Sequence, residues 1–386
     1  MRPARETSAV SLDPDELVAR ARQAAGDQNG LPLRFLSSLR RLTEAVDSDA
    51  QLTMIGRRQL HDMLVSQLVT QIQADRLIGS HPEIRQAVIS PPIVITGMPR
   101  TGTTALQNML AEHPGLRAPS LWELMAPAAP AGAGQDAMLI ELARRYVDQY
   151  YAAAPAFRML HPLDALRPDE CHRLTGTTFR SDIYAQRYHV PGYLAWLHDQ
   201  DMVEVYQYHR TLLSCLLWRR PGEEVLLKCP SHLRHLDALA AVYPGARVVR
   251  LHRDPMTCIP SACSLTSVVR SVTSAVVDKA GIGREWIDYA DQALSRQRRD
   301  EDSVPGIAVL DVRQRDLLAD PLSIVGLVLE FAGIPMTAAT RAGIEDYARD
   351  NPPDKHGVHR PSLEDFHLDP TEIEERFARY RAEFSL

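Results

Sequence analysis

Apolar residues recur at helical spacing along the first part of the chain. In two stretches between residues 33 and 72 they stand three or four positions apart, which is the periodicity of helices that bury one face. Pro91-Pro92 then interrupts the pattern, and the β-branched run at residues 93–96 predicts a short buried strand. This pattern divides the chain into an N-terminal helical extension over residues 1–90 and a second unit over residues 91–386.

Short strands alternate with helical segments through the second unit. Three further strands are predicted at residues 225–227, 247–251 and 307–312, and longer helical patterns cover residues 137–151 and 203–218. Strands that alternate with helices favour a parallel sheet, because a parallel pair needs a long crossover connection. We therefore predict an α/β fold with three layers, in which helices flank a central and mostly parallel sheet.

Composition and charge exclude some classes of function. The 386 residues carry 43 Lys and Arg against 49 Asp and Glu, a net charge of −6, so the chain as a whole does not attract nucleic acid or anionic lipid. The sequence shows neither an apolar signal segment nor an apolar stretch long enough to cross a bilayer. Its five cysteines have no CxxC spacing, which favours reduced thiols and a cytoplasmic location. An anion site, if there is one, must be a local cluster of cations.

The turn after the first strand is the most informative segment. Gly97 and Gly102 have the spacing of the two glycines in the phosphate loop of nucleotide triphosphatases, G-x-x-x-x-G-K-[ST], but Thr103 stands where that motif has lysine. The cation of this turn is Arg100. A turn that leads into a helix presents free backbone amides to an anion. A sulfuryl group carries less charge than a phosphoryl group, so amides, hydroxyls and a guanidinium can stabilise its transfer without a metal. The loop favours sulfuryl transfer over a kinase.

The run Pro99–Thr104 resembles the 5′-phosphosulfate loop of sulfotransferases that use 3′-phosphoadenosine 5′-phosphosulfate (PAPS), especially those of the bacterial branch. Val248–Pro255 resembles their second signature, a strand that ends in Arg-x-Pro, with Ser261 eight positions after Arg253. In that family the arginine and serine hold the 3′-phosphate, and a basic C-terminal segment similar to residues 355–360 closes over the nucleotide. The resemblance implies a P-loop-like fold, PAPS as the donor, no metal, and a donor site made of Arg100, Thr101, Gly102, Thr103, Thr104, Arg253, Ser261, Lys355 and Arg360.

The resemblance also suggests catalytic residues. Lys228 ends a predicted strand, where an ammonium can neutralise the bridging oxygen of the departing nucleotide. Glu123 stands where related sulfotransferases place a glutamate base, and His232 is the alternative base or an acceptor contact. Arg100 would act on the sulfuryl oxygens. The polar run Asp169–His172 is compatible with a substrate pocket or with metal ligands, although its spacing lacks a matching His/Cys pair.

The sequence thus predicts an enzyme that transfers a sulfuryl group from PAPS to a hydroxyl of a small, hydrophobic acceptor such as a lipid, glycolipid, polyketide or phenol. Two alternatives remain open at this point: a nucleotide-dependent kinase that uses the degenerate loop, and a non-catalytic nucleotide-binding or scaffold protein. No nucleic acid partner and no integral membrane segment are expected. The acceptor, the oligomeric state and the role of the N-terminal helices do not follow from the sequence.

Overall fold

A parallel sheet forms the centre of the molecule. The computed structural model describes residues 10–130, 132–222, 224–352, 355 and 361–386. Within them the sheet has five strands in the order β2-β3-β1-β4-β5, and all of the pairings are parallel. The strands are β1 (Ile93–Gly97), β2 (Leu116–Arg117), β3 (Glu224–Lys228), β4 (Arg247–His252) and β5 (Ala308–Arg313).

Helices precede, connect and follow the strands. Four short 3₁₀ helices in the described residues cover Pro82–Gln86, Gly176–Thr178, Pro230–Arg234 and Glu364–Phe366. The α-helices of the described residues are α1 (Pro14–Ala25), α2 (Leu36–Asp49), α3 (Met54–Ser80), α4 (Thr103–Leu110), α5 (Leu121–Met125), α6 (Ala133–Ala153), α7 (Phe157–Leu160), α8 (His172–Thr175), α9 (Ile183–Arg187), α10 (Pro191–His198), α11 (Val203–Arg219), α12 (Leu236–Val242), α13 (Pro255–Thr273), α14 (Lys279–Ser303), α15 (Gln314–Ala319), α16 (Pro321–Phe331), α17 (Ala338–Asp350) and α18 (Pro370–Glu383).

Alternate side chains of the strands enter different hydrophobic cores. Val94 of β1 belongs to a core that includes Leu60 and Leu64 of α3. Its neighbour Ile95 belongs to a second core, which contains Leu106 of α4. Successive residues of a strand face opposite sides of the sheet, so each face is covered by its own layer of helices. This arrangement confirms the predicted three-layer α/β fold.

The N-terminal helices share their core with the rest of the molecule. Buried leucines of α1, α2 and α3 lie in the same cluster as β1, β3 and β4. The first turn of α3 packs tightly on α13, since a Cβ on Gly56 would lie 2.0 Å from the carbonyl oxygen of Thr273. The division of the chain at residue 90 stays a prediction. In the described residues we find no helix that combines the length and the apolar character needed to cross a membrane.

The predicted elements agree with the structure except at two places. All four predicted strands are present, but the sequence gives no signal for β2, a strand of two residues. The helical segment predicted after the strand at residues 225–227 begins as a 3₁₀ turn at Pro230, and the α-helix starts only at Leu236. The break falls at His235, whose backbone angles of φ −138° and ψ 37° are not helical.

Candidate active site

The site lies where β1, β3 and β4 end, at the same edge of the sheet. Ligands of open α/β sheets bind at this edge, where the strand order reverses. β1 lies between β3 and β4, and the chain leaves it through Gly97. Gly97 has φ +148°, and a Cβ there would lie 2.5 Å from the carbonyl oxygen of Leu251. Only glycine fits this close approach, so the turn passes directly over β4 before α4 begins.

Two arginines meet in this turn. Arg100 has a left-handed backbone, with φ 72°, and its Nε donates to Ser261 Oγ at 3.1 Å. Arg253 follows β4, and its Nη1 donates to the carbonyl oxygen of Arg100 at 2.8 Å. Burial, and then repulsion from Arg253, lower the pKa of Arg100 to about 10. Neither guanidinium has a carboxylate partner among the residues that the structure describes. This local excess of positive charge is suited to a multiply charged anion.

Lys228 is the last residue of β3, and its side chain reaches the start of α4, just after the turn. Its side chain is only 1% exposed, and Nζ donates to Thr104 Oγ1 at 3.1 Å and to Glu170 Oε1 at 2.6 Å. Burial by itself raises the pKa of Glu170, but the Lys228 ammonium and a hydrogen bond from His172 outweigh it and hold the pKa well below its usual range. Glu170 is therefore a carboxylate, and it fixes the ammonium beside the start of α4.

His172 and Glu170 form a hydrogen-bonded pair. His172 Nδ1 lies 3.1 Å from Glu170 Oε2, so the ionised carboxylate favours the tautomer with the proton on Nδ1. Burial lowers the pKa of His172, against the opposing effect of Glu170. Among the described groups, Nε2 of this ring is buried without a hydrogen-bond partner. Such a neutral histidine, oriented by a carboxylate through its other nitrogen, has the arrangement of a general base.

One cavity of about 390 Å³ is lined by Arg100, Arg253, Glu170 and His172, whereas Lys228 lies next to it and reaches its wall through Thr104 and Glu170. His161 also lines it, and burial lowers the pKa of this histidine to about 4. The Thr101 hydroxyl is turned away and donates to the carbonyl oxygen of Met98 at 2.7 Å, while Ser261 contacts the site through Arg100. Of the residues that the sequence predicts, those lining the cavity are Arg100, Gly102, Thr103, Thr104, Arg253 and Lys355, together with Glu170 and His172 of the polar run.

The two bases suggested by the sequence lie elsewhere. Glu123 is 6% exposed and closes a capping box at the start of α5, with Oε2 accepting from Ser120 N at 2.9 Å. Its Oε1 pairs with Arg117. Nδ1 of His232 is hydrogen-bonded to Tyr206 Oη at 2.6 Å, and His232 lines a separate small cavity of about 10 Å³. Neither residue lines the main cavity. Arg360 lies outside the described residues.

A metal is poorly matched to the polar run. Glu170, His172 and Cys229 each place a possible ligand atom within 4.8 Å of the others. However, Lys228 Nζ already donates a hydrogen bond to Glu170 Oε1 at 2.6 Å, and burial raises the pKa of the Cys229 thiol well above its usual range. A metal needs the thiolate and would meet the repulsion of the ammonium. Lys228 therefore makes this cluster a salt-bridged pocket rather than a metal centre.

Comparison with known proteins decides the family. A model of the sulfotransferase family matches residues 91–338, which include both strand-end signatures. This chain belongs to the sulfotransferase family. It is 26% identical over 187 residues to the omega-hydroxy-beta-dihydromenaquinone-9 sulfotransferase Stf3 of Mycobacterium tuberculosis and to that of Mycobacterium bovis, with 46% of this chain covered. The match spans about half, 46%, of the length of these curated relatives.

Solved sulfotransferase structures share the fold of this family member over nearly its whole length. Sulfotransferase STF1 from Mycobacterium tuberculosis superposes with a TM-score of 0.82 at 29% identity, covering 97% of this chain and 100% of the other. STF9 from Mycobacterium avium gives a TM-score of 0.85 at 24% identity, with coverages of 99% and 98%. The likeness to STF9 concerns the fold alone. Both superpositions cover nearly the whole chain and not only residues 91–338, so the structural similarity includes the N-terminal helices.

Proposed function

We propose that this protein transfers a sulfuryl group from PAPS to a hydroxyl group of a hydrophobic acceptor. The observation that carries the proposal is the convergence of three strand ends on one cavity. Two guanidiniums without carboxylate partners among the described residues and one neutral histidine line this cavity, and the buried Lys228 ammonium lies next to it, bonded to Thr104 and Glu170 of its wall. These groups are suited to sulfuryl transfer, and membership of the sulfotransferase family supports the same chemistry.

The donor would be held by the turn and by β4. Arg253 and Ser261 are suited to the 3′-phosphate, because a guanidinium fork and a hydroxyl can share one dianion. Arg100 and the backbone amides of residues 102–104 would bind the phosphosulfate, since free amides at a helix start favour an anion. The residues fit this donor on one structural ground: the mutual repulsion of Arg100 and Arg253 is relieved when a multiply charged anion binds between them.

Proton transfer is assigned to His172. Its Nε2 would accept the proton of the acceptor hydroxyl while Glu170 stabilises the charged ring. As the acceptor oxygen bonds to sulfur, the bond from sulfur to the bridging oxygen breaks, and Lys228 neutralises the charge left on the departing bisphosphate. Glu123 and His232 stay predictions of the sequence, and the geometry supports His172 better because it lines the cavity.

The acceptor is proposed to be a lipid-like alcohol. Apolar side chains, among them Phe157, Leu160 and Val269, line the cavity beside the polar groups, which suits a hydroxyl on an apolar body. The mycobacterial relatives are named for a hydroxylated menaquinone, an acceptor of the same chemical kind.

A calorimetric titration tests the donor site. We expect adenosine 3′,5′-bisphosphate (PAP) to bind without a divalent metal and in preference to ATP, and ³⁵S-labelled PAPS to pass its label to an alcohol in the presence of EDTA. Preference for ATP with magnesium would instead identify a kinase. Tight binding of PAP with no transfer of label to any acceptor of an extract would identify a nucleotide-binding scaffold.

A further inference from the structure

A second cavity adjoins the first. It has a volume of about 400 Å³ and lies between α3, α6 and α13, within the range of small-molecule sites. The two cavities share part of their walls, including Tyr146, His172 and Arg187. His172, whose free Nε2 is the proposed base, thus borders both spaces. A molecule in the second cavity would have one end at the proposed reaction centre.

Most of the surface of this cavity is apolar, and Met63 of α3, Met125 of α5 and Val272 of α13 contribute to it. Polar side chains such as Gln67 and Gln149 also line it, and His172 and Arg187 stand at the wall shared with the first cavity. The opening on α3 is formed by exposed polar side chains, Gln59, Asp62 and Ser66. A ligand that matches this lining has an apolar body and one polar end, and the polar end faces the first cavity.

Arg187 has hydrogen-bonding capacity left at the shared wall. Its Nη1 donates to the Met63 sulfur at 3.2 Å, and a thioether is a weak acceptor. Its other close electrostatic neighbours include the phenols of Tyr146, Tyr150 and Tyr188. In the part of the chain that the structure describes, Arg187 has no carboxylate partner. A partly buried guanidinium in this setting gains from an oxygen of a bound molecule.

We propose that the second cavity is the acceptor site and that it binds an elongated alcohol. The apolar chain lies between α3, α6 and α13, and its hydroxyl meets His172 and Arg187 at the shared wall. This inference rests on the proposed sulfuryl transfer and adds the place, shape and orientation of the acceptor. It also gives the N-terminal helices a role, because α3 forms one wall of the site.

Tryptophan substitutions can close this cavity without touching the donor site. Ser66→Trp fills the opening on α3, and Val272→Trp fills the opposite wall on α13. Ser80→Trp is the matched control, since Ser80 is an exposed serine of the same helix that does not line the cavity. Affinities for 1-butanol, 1-decanol and PAP are measured by titration, with PAP present in the alcohol experiments, and the rate of ³⁵S transfer is measured alongside.

For the unmodified protein we expect the affinity for alcohols to rise with chain length, by about fourfold for each further buried CH₂ group. At least one of Ser66→Trp and Val272→Trp should weaken 1-decanol binding about tenfold or more, with PAP affinity retained as the evidence of an intact fold. Ser80→Trp should change neither affinity.

The inference is overturned if 1-decanol binds no better than 1-butanol, or if both cavity variants bind 1-decanol as the unmodified protein does. Failure of the unmodified protein to bind PAP would count against the proposed donor and function. It would leave the length dependence and the effect of the tryptophans as a separate result, so the two failures are distinguishable.

Discussion

The Arg253→Gln substitution tests whether Arg253 binds the donor or only stabilises the fold. The lowering of the Arg100 pKa from its usual value to about 10 corresponds to about 3 kcal/mol against its charged form. Burial supplies the larger share of this cost and repulsion from Arg253 the smaller share. Removing Arg253 also removes its 2.8 Å hydrogen bond to the carbonyl oxygen of Arg100, which contributes about 1–2 kcal/mol. The two effects oppose each other, so the free energy of unfolding should change by about 1 kcal/mol or less.

PAP binding should respond much more strongly. Loss of one charge-assisted contact to the 3′-phosphate costs about 1.5–3 kcal/mol, which weakens binding about 10- to 150-fold. Isothermal titration calorimetry measures the affinity, and thermal melting with and without PAP measures stability and its linkage to the ligand. Arg315→Gln serves as the control, because Arg315 is 56% exposed and lies 3.8 Å from Asp316. It should leave both quantities unchanged.

Two results would refute this reasoning. Unchanged PAP affinity in Arg253→Gln would remove the residue from the donor site. A large drop in the melting temperature of the ligand-free protein, in parallel with the lost affinity, would show that Arg253 supports the turn instead of binding the phosphate.

Four further predictions concern the groups proposed to act in catalysis. His172→Gln should lower kcat about 10²- to 10⁴-fold and leave PAP affinity unchanged. Glu123→Gln should lower the melting temperature and leave kcat unchanged. The reverse pattern would assign the role of base to Glu123. Burial lowers the pKa of His172, and only the neutral ring accepts a proton. In a pH profile, kcat/KM should therefore decrease only below pH 6.5. A decrease that already begins above pH 6.5 would contradict His172 as the base. Lys228→Met leaves the partly buried Glu170 carboxylate with the His172 hydrogen bond but without its ion-pair partner, and should cost about 1–3 kcal/mol of stability. Adding Glu170→Gln should restore stability, measured by denaturant unfolding, but not the transfer of label. Arg100→Gly suits the left-handed backbone and should melt no lower than the unmodified protein while transferring no label.

The family and the fold were accessible from short stretches of sequence. The buried strand, Gly97 and the arginine-bearing turn are consecutive residues, and their conformation is set by local sterics and by the start of α4. The alternation of strands and helices implies the parallel sheet, since few other topologies join such elements. These predictions are confirmed by the sheet order and by the family match.

The proposed base, His172, could not be selected from the sequence in the same way. Glu123 has the right residue type and spacing, yet Ser120 donates to its Oε2 and Arg117 donates to its Oε1. The sequence pointed to Asp169–His172 only as a polar run, and it gave no signal for His161. Ser120 and Glu123 have the S-x-x-E spacing of a capping box, so the sequence contained a signal for this role of Glu123 at a helix start. The position of His172 at the cavity, in contrast, depends on tertiary contacts.

The sequence by itself predicted the alternation of strands and helices, the glycine turn and the arginines of the proposed donor site, because each of these signals lies in a short stretch of the chain. Tertiary structure decided which distant groups come into contact: Lys228 meets Glu170, 58 positions away, and Arg100 meets Ser261, 161 positions away. It also placed α3 beside His172 as a wall of the second cavity. Such contacts follow from how layers of helices pack on both faces of the sheet, and packing depends on the whole chain at once.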